Sequence, residues 1–335
     1  MKPSDRILEL LYDRREGTWG LEELARAAAI DRAGLGRALE AIRSSGQSVD
    51  FSPAEGVRLA RPVRLAAALI ERGLSVRRVG RSVVCFDEVE STNTVALSAI
   101  RQADADGLVV LAESQLRGRG RQGRQWISPP GRNVLLSVLL LGSAEGARPS
   151  PDARPAAFGQ EGLTIAAGVA VAEAVEETTG LACGLKWPND VLLYGAKLAG
   201  VLVETRREGA TTGVVVGVGL NVNAAPAAGS IAQPAACMAD HVGHPVERIE
   251  VVRSLLRHLD GWVERLADGR LDELHETFLA RCRMINGRAT VVAEGRRYAG
   301  RVLDVDPLRG LVLACDGGGT VQLPAGRSTL IGWEE

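Results

Sequence analysis

Apolar residues recur at helical spacing through the first sixty residues of the chain. Three helices are predicted from this spacing, over residues 7–11, over residues 21–29, and from a cap at Asp31 to a stop near Gly46. Two short extended segments follow, residues 48–51 and 57–59, on either side of a turn of sequence SPAEG. Three helices and a hairpin are typical of a winged helix-turn-helix, but also of a small helical interaction module.

The third predicted helix bears on whether this amino-terminal segment contacts nucleic acid. Arg32, Arg37 and Arg43 would lie on it, where they are available for phosphates or bases. Two glycines and one glutamate in the same helix weaken that interpretation, because glycine lowers helix propensity and the segment is not strongly basic. Binding of DNA and binding of another protein therefore both stay open for residues 1–62.

Beyond Pro62 the pattern becomes a mixture of helices and strands. Helices are predicted over residues 63–72, 162–179, 245–266 and 271–281, and strands over residues 82–87, 107–113 and 133–141 and near Gly184, Val191, Leu198 and Val214. Residues 142–159, rich in Ala, Pro and Gly, are predicted as a surface loop, and short strands with glycine turns after residue 288 indicate a small β-barrel. Helices and strands do not alternate strictly, so the predicted fold class is α+β.

Composition narrows the functional classes. The net charge of −1 over 335 residues excludes a general polyanion binder, so any nucleic-acid contact needs a local patch. The longest apolar run, residues 134–141, is too short to cross a bilayer, and the charged amino terminus lacks the apolar stretch of a signal peptide. Five scattered cysteines without a CxxC pair argue against disulfides and zinc, and a reducing cytoplasm is the expected location.

The most unusual segment is residues 115–126, of sequence QLRGRGRQGRQW, between two predicted strands. Glycines let backbone N–H groups approach an anion closely, and arginines add charged donors with fixed geometry. This combination favours a loop that closes over a phosphate-bearing ligand. The alternative is a solvated or RNA-binding arginine-glycine patch, but such patches usually occur in long disordered tracts.

Four further segments carry polar residues suited to chemistry. ESTN begins at Glu90, before a predicted helix that Ser91 or Thr92 would cap, and KWPND places Lys186 at a strand end beside a stiff turn. The last two segments are KLAGVLVE, which opens with Lys197, and GVGLNVN, residues 217–223. The third glycine of a dinucleotide fingerprint is missing from GVGLNVN, no helix follows it, and the chain has no P-loop. The chemistry is therefore expected to use arginine, lysine, backbone N–H groups and Mg²⁺, with no protein residue assigned as a metal ligand.

These five segments, in this order, resemble the motifs of biotin protein ligases, and the resemblance covers nearly the whole chain. It is closest to the bifunctional class, in which the ligase is also the repressor of biotin synthesis. It implies three domains: a winged helix-turn-helix over residues 1–62, a catalytic domain with a mixed sheet like that of class II synthetases over residues 63–284, and an SH3-like β-barrel over residues 285–335. It also implies that ATP activates biotin as biotinyl-5′-adenylate, which then biotinylates a lysine of a biotin carboxyl carrier protein. Operator DNA and a homodimer are further implied partners.

The resemblance also implies roles for single residues. Lys186 and Arg121 would be catalytic. Biotin would contact Ser91, Thr92, Asn93, Gln115, Arg119, Gly120, Arg121 and Lys197. ATP and the adenylate would contact Gly118, Arg121, Arg124, Trp126, Lys186, Asn189 and Asn221. The chain departs from the family pattern at Arg117, an extra charge before the loop, and at Gln122, where arginine is usual.

Two other interpretations are compatible with parts of this pattern. A lipoate protein ligase shares the catalytic fold and the adenylation chemistry, but the arginine-glycine loop argues against it. A biotin-sensing transcription regulator with little ligase activity would explain the amino-terminal segment. The intact loop and both lysines, Lys186 and Lys197, argue against that class.

Overall fold

The computed structural model describes residues 2–52, 56–143, 159–227, 229, 233–307 and 309–334. Its amino-terminal part contains α1 (Pro3–Asp13), α2 (Leu21–Ala27), α3 (Arg32–Ser44) and the antiparallel hairpin β1 (Val49–Ser52) and β2 (Gly56–Leu59). The three predicted helices and the hairpin are all present. Asp31 caps α3, because its side chain accepts a hydrogen bond from the Gly34 N–H at 2.6 Å.

The segment after Pro62 differs from its prediction. A helix was expected over residues 63–72, but α4 spans only Ala67–Glu71. Ala66, just before α4, has extended backbone angles, and two backbone groups of the preceding residues are bonded to distant side chains: the Leu65 N–H donates to Glu113 Oε1 at 2.8 Å, and the Val63 carbonyl accepts from Arg248 at 3.3 Å. These bonds hold residues 63–65 against Glu113 and Arg248, and the chain starts to coil only after them.

A seven-stranded mixed sheet forms the centre of the molecule. In chain order its strands are β3 (Ser82–Val89), β4 (Leu108–Gln115), β5 (Val134–Ser143), β6 (Gly184–Lys186), β7 (Asp190–Leu193), β8 (Ala196–Glu208) and β9 (Thr211–Leu220). The spatial order is β3-β4-β5-β9-β8-β7-β6, with β3 and β4 parallel and all other neighbours antiparallel. The predicted α+β class is therefore confirmed for the central region.

In the described part of the chain, the helices after α4 pack on this sheet or on one another: α5 (Thr92–Ser98), α6 (Gly159–Thr179), α7 (Met238–Val242), α8 (Arg248–Ala267) and α9 (Leu271–Arg281). The middle of α6, residues 165–172, is apolar and buried, and the helix packs against α8 and the sheet. Residues 144–158 of the predicted surface loop lie outside the described residues, whereas Gly142 and Ser143 belong to β5.

A buried ion pair connects α8 to the sheet. Arg248 and Glu113 are 2% and 8% exposed, and their side chains meet at 2.6 Å. Arg248 also donates to the carbonyl of Asn133 at 3.2 Å, in addition to its bond with Val63. Removing one partner of such a pair leaves an uncompensated buried charge, so this cluster holds the linker, β4 and α8 in one arrangement.

The carboxyl-terminal part is a five-stranded antiparallel sheet. It contains β10 (Arg288–Ala293), β11 (Arg296–Asp306), β12 (Gly310–Cys315), β13 (Thr320–Leu323) and β14 (Ser328–Glu334), in the spatial order β13-β12-β11-β10-β14. The register shifts within the β10–β14 pair and within the β11–β12 pair. Short strands were predicted for this region, and they are present.

Among the described residues, no helix combines the length and the apolar character needed to cross a bilayer. All five cysteines are described, and each is a free thiol. Burial raises the pKa of the Cys85 and Cys183 thiols to about 12. The thiolate is the reactive form of cysteine, so these two residues act as apolar core side chains.

Candidate active site

A cavity of about 890 Å³ opens between the central sheet and strand β14 of the carboxyl-terminal sheet. All but one of the residues predicted to bind biotin, ATP or the adenylate line it. They are Ser91, Thr92, Asn93, Gln115, Arg119, Gly120, Arg121, Arg124, Trp126, Lys186, Asn189, Lys197 and Asn221. The exception is Gly118, which is buried behind Trp126 and accepts a hydrogen bond from the Trp126 N–H at 2.9 Å.

The amino end of α5 forms one wall of this cavity. Ser91 occupies the capping position, but neither it nor Thr92 caps the helix through its hydroxyl, contrary to the prediction. The Gln115 side chain takes that role, since its Oε1 accepts from the Thr92 N–H at 2.7 Å and from the Thr92 hydroxyl at 3.1 Å. Gln115, which was predicted to contact biotin, thus also holds the start of α5 in place.

Ser137 on β5 continues this network deeper into the sheet. It is fully buried, and its hydroxyl lies 2.7 Å from the Thr92 hydroxyl and 2.5 Å from Asn93 Oδ1. Gly217 makes room for the Asn93 amide, because a Cβ atom at that glycine would lie 2.3 Å from Asn93 Oδ1. Buried polar side chains of this kind, each with partners, keep a fixed orientation.

The GVGLNVN segment lies partly inside a strand. Residues 217–220 belong to β9, and their glycines accommodate neighbouring side chains. A Cβ atom at Gly219 would lie 2.3 Å from the indole ring of Trp126, so the ring rests directly on the strand backbone. Asn221 follows at the strand end, 1% exposed, with an Oδ1 atom that has no partner among the described residues.

The arginine-glycine loop folds back on itself above the cavity. The Gly120 N–H donates to the Arg124 carbonyl at 2.7 Å, which brings the two ends of the turn together. At the tip, Arg121 donates to the backbone carbonyl of Ala325, and Gln122 donates to the Thr329 hydroxyl. Both acceptors belong to the carboxyl-terminal part of the chain, so that part fixes the loop tip. Gln122, which stands where the family usually has arginine, therefore connects the loop to the carboxyl-terminal part of the chain.

The cations of the loop and of the cavity fall into two groups. Three have carboxylate partners: Arg117 with Glu90 at 3.3 Å, Arg119 with Glu204 at 2.7 Å, and Lys197 with Asp190 at 2.6 Å. Arg121, Arg124 and Lys186 have no carboxylate within 4.0 Å in the described part of the chain. All three line the cavity, so its positive charge is concentrated at these side chains.

Lys186 ends β6 and is held by its neighbours. Trp187 is 1% exposed and anchors the turn, while the Lys186 ammonium lies 5.7 Å from the centroid of the Trp333 ring. Burial lowers the pKa of Lys186, and burial likewise lowers the pKa of the Arg121 guanidinium. A partly desolvated cation interacts more strongly with an incoming anion than one in bulk water does.

Several residues of the site were not assigned from the sequence. Glu204 accepts from both Asn93 and Arg119, Asn133 accepts from three consecutive backbone N–H groups at residues 222–224, and Trp333 contacts Lys186. Glu204 is the last residue of KLAGVLVE, so its position in that segment was a signal. Asn133 and Trp333 belong to none of the five segments.

The next question is which side chains near the cavity could bind the Mg²⁺ that accompanies ATP. Among the described residues, no group of three or more His, Cys, Asp or Glu side chains is arranged to hold a metal ion. Mg²⁺ is usually held by substrate phosphates, water and one or two carboxylates. Asp190 is the carboxylate that lines the cavity, and it is paired with Lys197.

Comparison with known proteins identifies the family. Residues 85–221 match the model of the biotin/lipoate A/B protein ligase family. The biotin–[acetyl-CoA-carboxylase] ligase of Mycobacterium tuberculosis is 35% identical over 273 residues, covering 78% of this chain and 96% of that relative. This chain belongs to the biotin protein ligase family. The bifunctional ligase/repressor BirA of Escherichia coli is 30% identical over 244 residues, covering 72% of this chain and 71% of BirA.

Solved structures agree at the level of the fold. The biotin protein ligase of Aquifex aeolicus in complex with biotin and ATP superposes with a TM-score of 0.63 at 24% identity. The match covers 75% of this chain and 98% of that one. The central sheet with its surrounding helices is therefore the fold of a biotin ligase catalytic domain.

Proposed function

We propose that the chain is an ATP-dependent biotin protein ligase. In the first step, a carboxylate oxygen of biotin attacks the α-phosphorus of ATP, the bond to the β-phosphate oxygen breaks, and pyrophosphate leaves. In the second step, the ε-amine of a carrier lysine attacks the acyl carbon, AMP leaves, and the amine loses a proton as the amide forms. The observation that carries this proposal is one cavity lined both by Ser91, Thr92 and Asn93 and by three cations that have no carboxylate partner among the described residues.

The cations account for the adenylation step. ATP brings several negative charges, and attack at the α-phosphorus adds charge in the transition state. Lys186 and Arg121 are proposed to stabilise that charge, since positioned donors in a partly desolvated site are the most effective. Arg124 would contact the phosphates, and Mg²⁺, bound chiefly through ATP, would neutralise further charge. Trp126 would lie along adenine, and the unpartnered Asn221 Oδ1 would accept from the nucleotide.

The uncharged side of the cavity suits biotin. Ser91, Thr92, Asn93 and Gln115 offer hydroxyls and amides beside the glycine-lined face of β9. Arg119, Gly120 and Lys197 would complete the contacts around the biotin carboxylate and the adenylate linkage. The loop would also exclude water from the acyl adenylate until the carrier lysine arrives.

The alternatives are lipoate ligation and ligand sensing without catalysis, and two assays run in parallel test them. The full chain is incubated with ATP and Mg²⁺ and with either biotin or lipoate, while pyrophosphate release is measured. We expect release with biotin and little with lipoate. A gel-shift on operator DNA in parallel tests sensing: strong DNA binding without pyrophosphate release would identify a regulator with little ligase activity.

We further propose that residues 1–62 form a winged helix-turn-helix that binds operator DNA. Helices α1 to α3 precede the β1–β2 hairpin. Trp19 forms an antiparallel bridge with Val57 on β2, with backbone hydrogen bonds of 2.7 and 2.8 Å. The exposed side of α3 presents Arg32, Arg37 and Arg43, while Leu35 and Ile42 face the core. Those arginines would contact phosphates or bases, and a homodimer would place two such modules on two half-sites.

The remaining domain boundaries are proposed at residues 63–284 for catalysis and 285–335 for an SH3-like β-barrel. The two register shifts in the carboxyl-terminal sheet support a barrel, because bulges increase strand bending and twist. Contacts from Ala325 and Thr329 to the loop tip suggest that the barrel also shapes the site that receives the biotin carboxyl carrier protein.

Removing the amino-terminal module should abolish DNA binding but keep the chemistry. A chain that begins at Val63 retains every residue lining the cavity, so it should still biotinylate a carrier domain. It loses the Tyr12 hydrogen bond to Glu250, at 2.8 Å, and the Arg61 ion pair with Glu247, so its Tm should fall. Gel-shift, carrier labelling and thermal unfolding measure the three effects. A truncated chain that folds but forms no adenylate would contradict the proposed boundary.

A further inference from the structure

We propose that Glu204 is a positioning residue that fastens the arginine-glycine loop to the biotin side of the cavity. This inference rests on the proposed function, because it assigns Glu204 to the retention of biotin and its adenylate. Glu204 lies on β8, with its side chain 31% exposed. Its Oε2 atom accepts from Asn93 Nδ2 and from Arg119 Nη2, each at 2.7 Å.

One carboxylate oxygen thus joins two segments that are far apart in sequence. Asn93 belongs to the first turn of α5, and Arg119 belongs to the loop after β4. The Asn93 amide is oriented from both ends, since its Oδ1 accepts from Ser137 while its Nδ2 donates to Glu204. Without the carboxylate, the Asn93 amide keeps its bond with Ser137. Its Nδ2 atom then has only a long contact of 3.4 Å to the Leu202 carbonyl.

Arg119 is held in the same way. Its second guanidinium nitrogen donates to the Thr94 hydroxyl at 3.0 Å, so Glu204 and Thr94 fix the plane of the group. The pairing also neutralises its charge, in contrast to Arg121 and Arg124, which lack carboxylate partners in the described part of the chain. Arg119 therefore holds the loop next to the side of the cavity proposed for biotin, while Arg121 and Arg124 supply positive charge for the phosphates.

The chain offers a matched control on the same strand. Glu208 also lies on β8 and also accepts from an arginine at 2.7 Å, but its partner, Arg101, is 83% exposed and does not line the cavity, whereas Arg119 does. Glu208→Gln therefore removes an equivalent charge from the same strand without touching the site. Exposed pairs of this kind contribute little to stability.

The test compares Glu204→Gln with Glu208→Gln in the full chain. Glutamine offers a neutral amide oxygen in place of the carboxylate, so both hydrogen bonds lose their charge assistance and Glu204→Gln should raise the biotin KM by about 10-fold. Escape of biotinyl-5′-adenylate, trapped with hydroxylamine, should increase, while the ATP KM should change by less than about twofold. Glu208→Gln should match the wild-type chain in all three measurements. If Glu204→Gln does not fold, as judged by thermal unfolding, Glu204→Asp is measured instead, because its shorter side chain cannot reach both partners.

A double-mutant cycle with Arg119→Ala distinguishes positioning from general support of the fold. If Glu204 acts through Arg119, Glu204→Gln should raise the biotin KM by a smaller factor in the Arg119→Ala background than in the wild-type chain, with the Asn93 contact accounting for the remainder. Fully additive effects, or a normal biotin KM in Glu204→Gln, would overturn the inference. If the wild-type chain itself forms no biotinyl-5′-adenylate, the proposed function fails instead, so the two failures are distinguishable.

Discussion

Replacing Lys186 with alanine should slow biotin adenylation by about 10²-fold or more, the usual loss for one positioned electrostatic donor. Lys186 lines the cavity, has no carboxylate within 4.0 Å among the described residues, and is held between the Trp187 turn and the Trp333 ring. Its effect should be confined to the transition state, so biotin affinity should change much less than the rate. Single-turnover formation of biotinyl-5′-adenylate with saturating ATP measures the effect.

The pH dependence of the same step provides an independent check. Because burial lowers the pKa of Lys186, its charged fraction declines at a lower pH than for an exposed lysine. The adenylation rate of the wild-type chain should therefore begin to fall as the pH rises toward that lowered pKa. Lys186→Arg keeps its charge at high pH and should lose this decline. A normal single-turnover rate for Lys186→Ala would remove Lys186 from the mechanism.

Replacing Arg121 with alanine should release the reaction intermediate. The Arg121 guanidinium lies at the loop tip, is half-buried, and has a carbonyl partner at Ala325 but no carboxylate within 4.0 Å in the described part of the chain. Loss of a hydrogen bond to a charged group costs about 1.5–3 kcal/mol, so biotinyl-5′-adenylate should bind about 10- to 150-fold more weakly. Its escape is measured by trapping with hydroxylamine.

Arg117 provides the control for that experiment. It belongs to the same loop but is 83% exposed, is paired with Glu90, and does not line the cavity. Arg117→Ala should therefore retain the intermediate as the wild-type chain does. Equal escape from both variants would mean that loop charge in general, and not the Arg121 contact, controls retention.

How far the sequence predicts this molecule depends on whether a feature is local. The cap of α3 by Asp31 and the position of Lys186 at a strand end involve neighbouring residues, and both were predicted correctly. The cap of α5 was predicted wrongly, because its acceptor, Gln115, comes from a strand 23 residues away. The helix expected from residue 63 is shorter because Glu113 and Arg248 take the backbone groups of that segment.

The missed site residues have a similar explanation. Glu204 on β8 and Arg119 in the loop after β4 are 85 residues apart in sequence, and they meet through a sheet order that long-range packing sets. Trp333 and Lys186 are 147 residues apart in sequence, and they meet where the central and carboxyl-terminal parts of the chain are in contact. The glycines of GVGLNVN do not complete a dinucleotide fingerprint, and the structure gives two of them another role, since they make room for Asn93 and Trp126 on β9.

The central claim is that this chain transfers biotin to a carrier lysine, and the intact mass of the carrier tests it most directly. The full chain is incubated with biotin, ATP, Mg²⁺ and a biotin carboxyl carrier domain. A second reaction contains a carrier whose target lysine is replaced by arginine. We predict that the first carrier gains the mass of one biotinyl group and that the second stays unchanged. An unmodified first carrier, under conditions in which a known biotin ligase labels it, would contradict the claim.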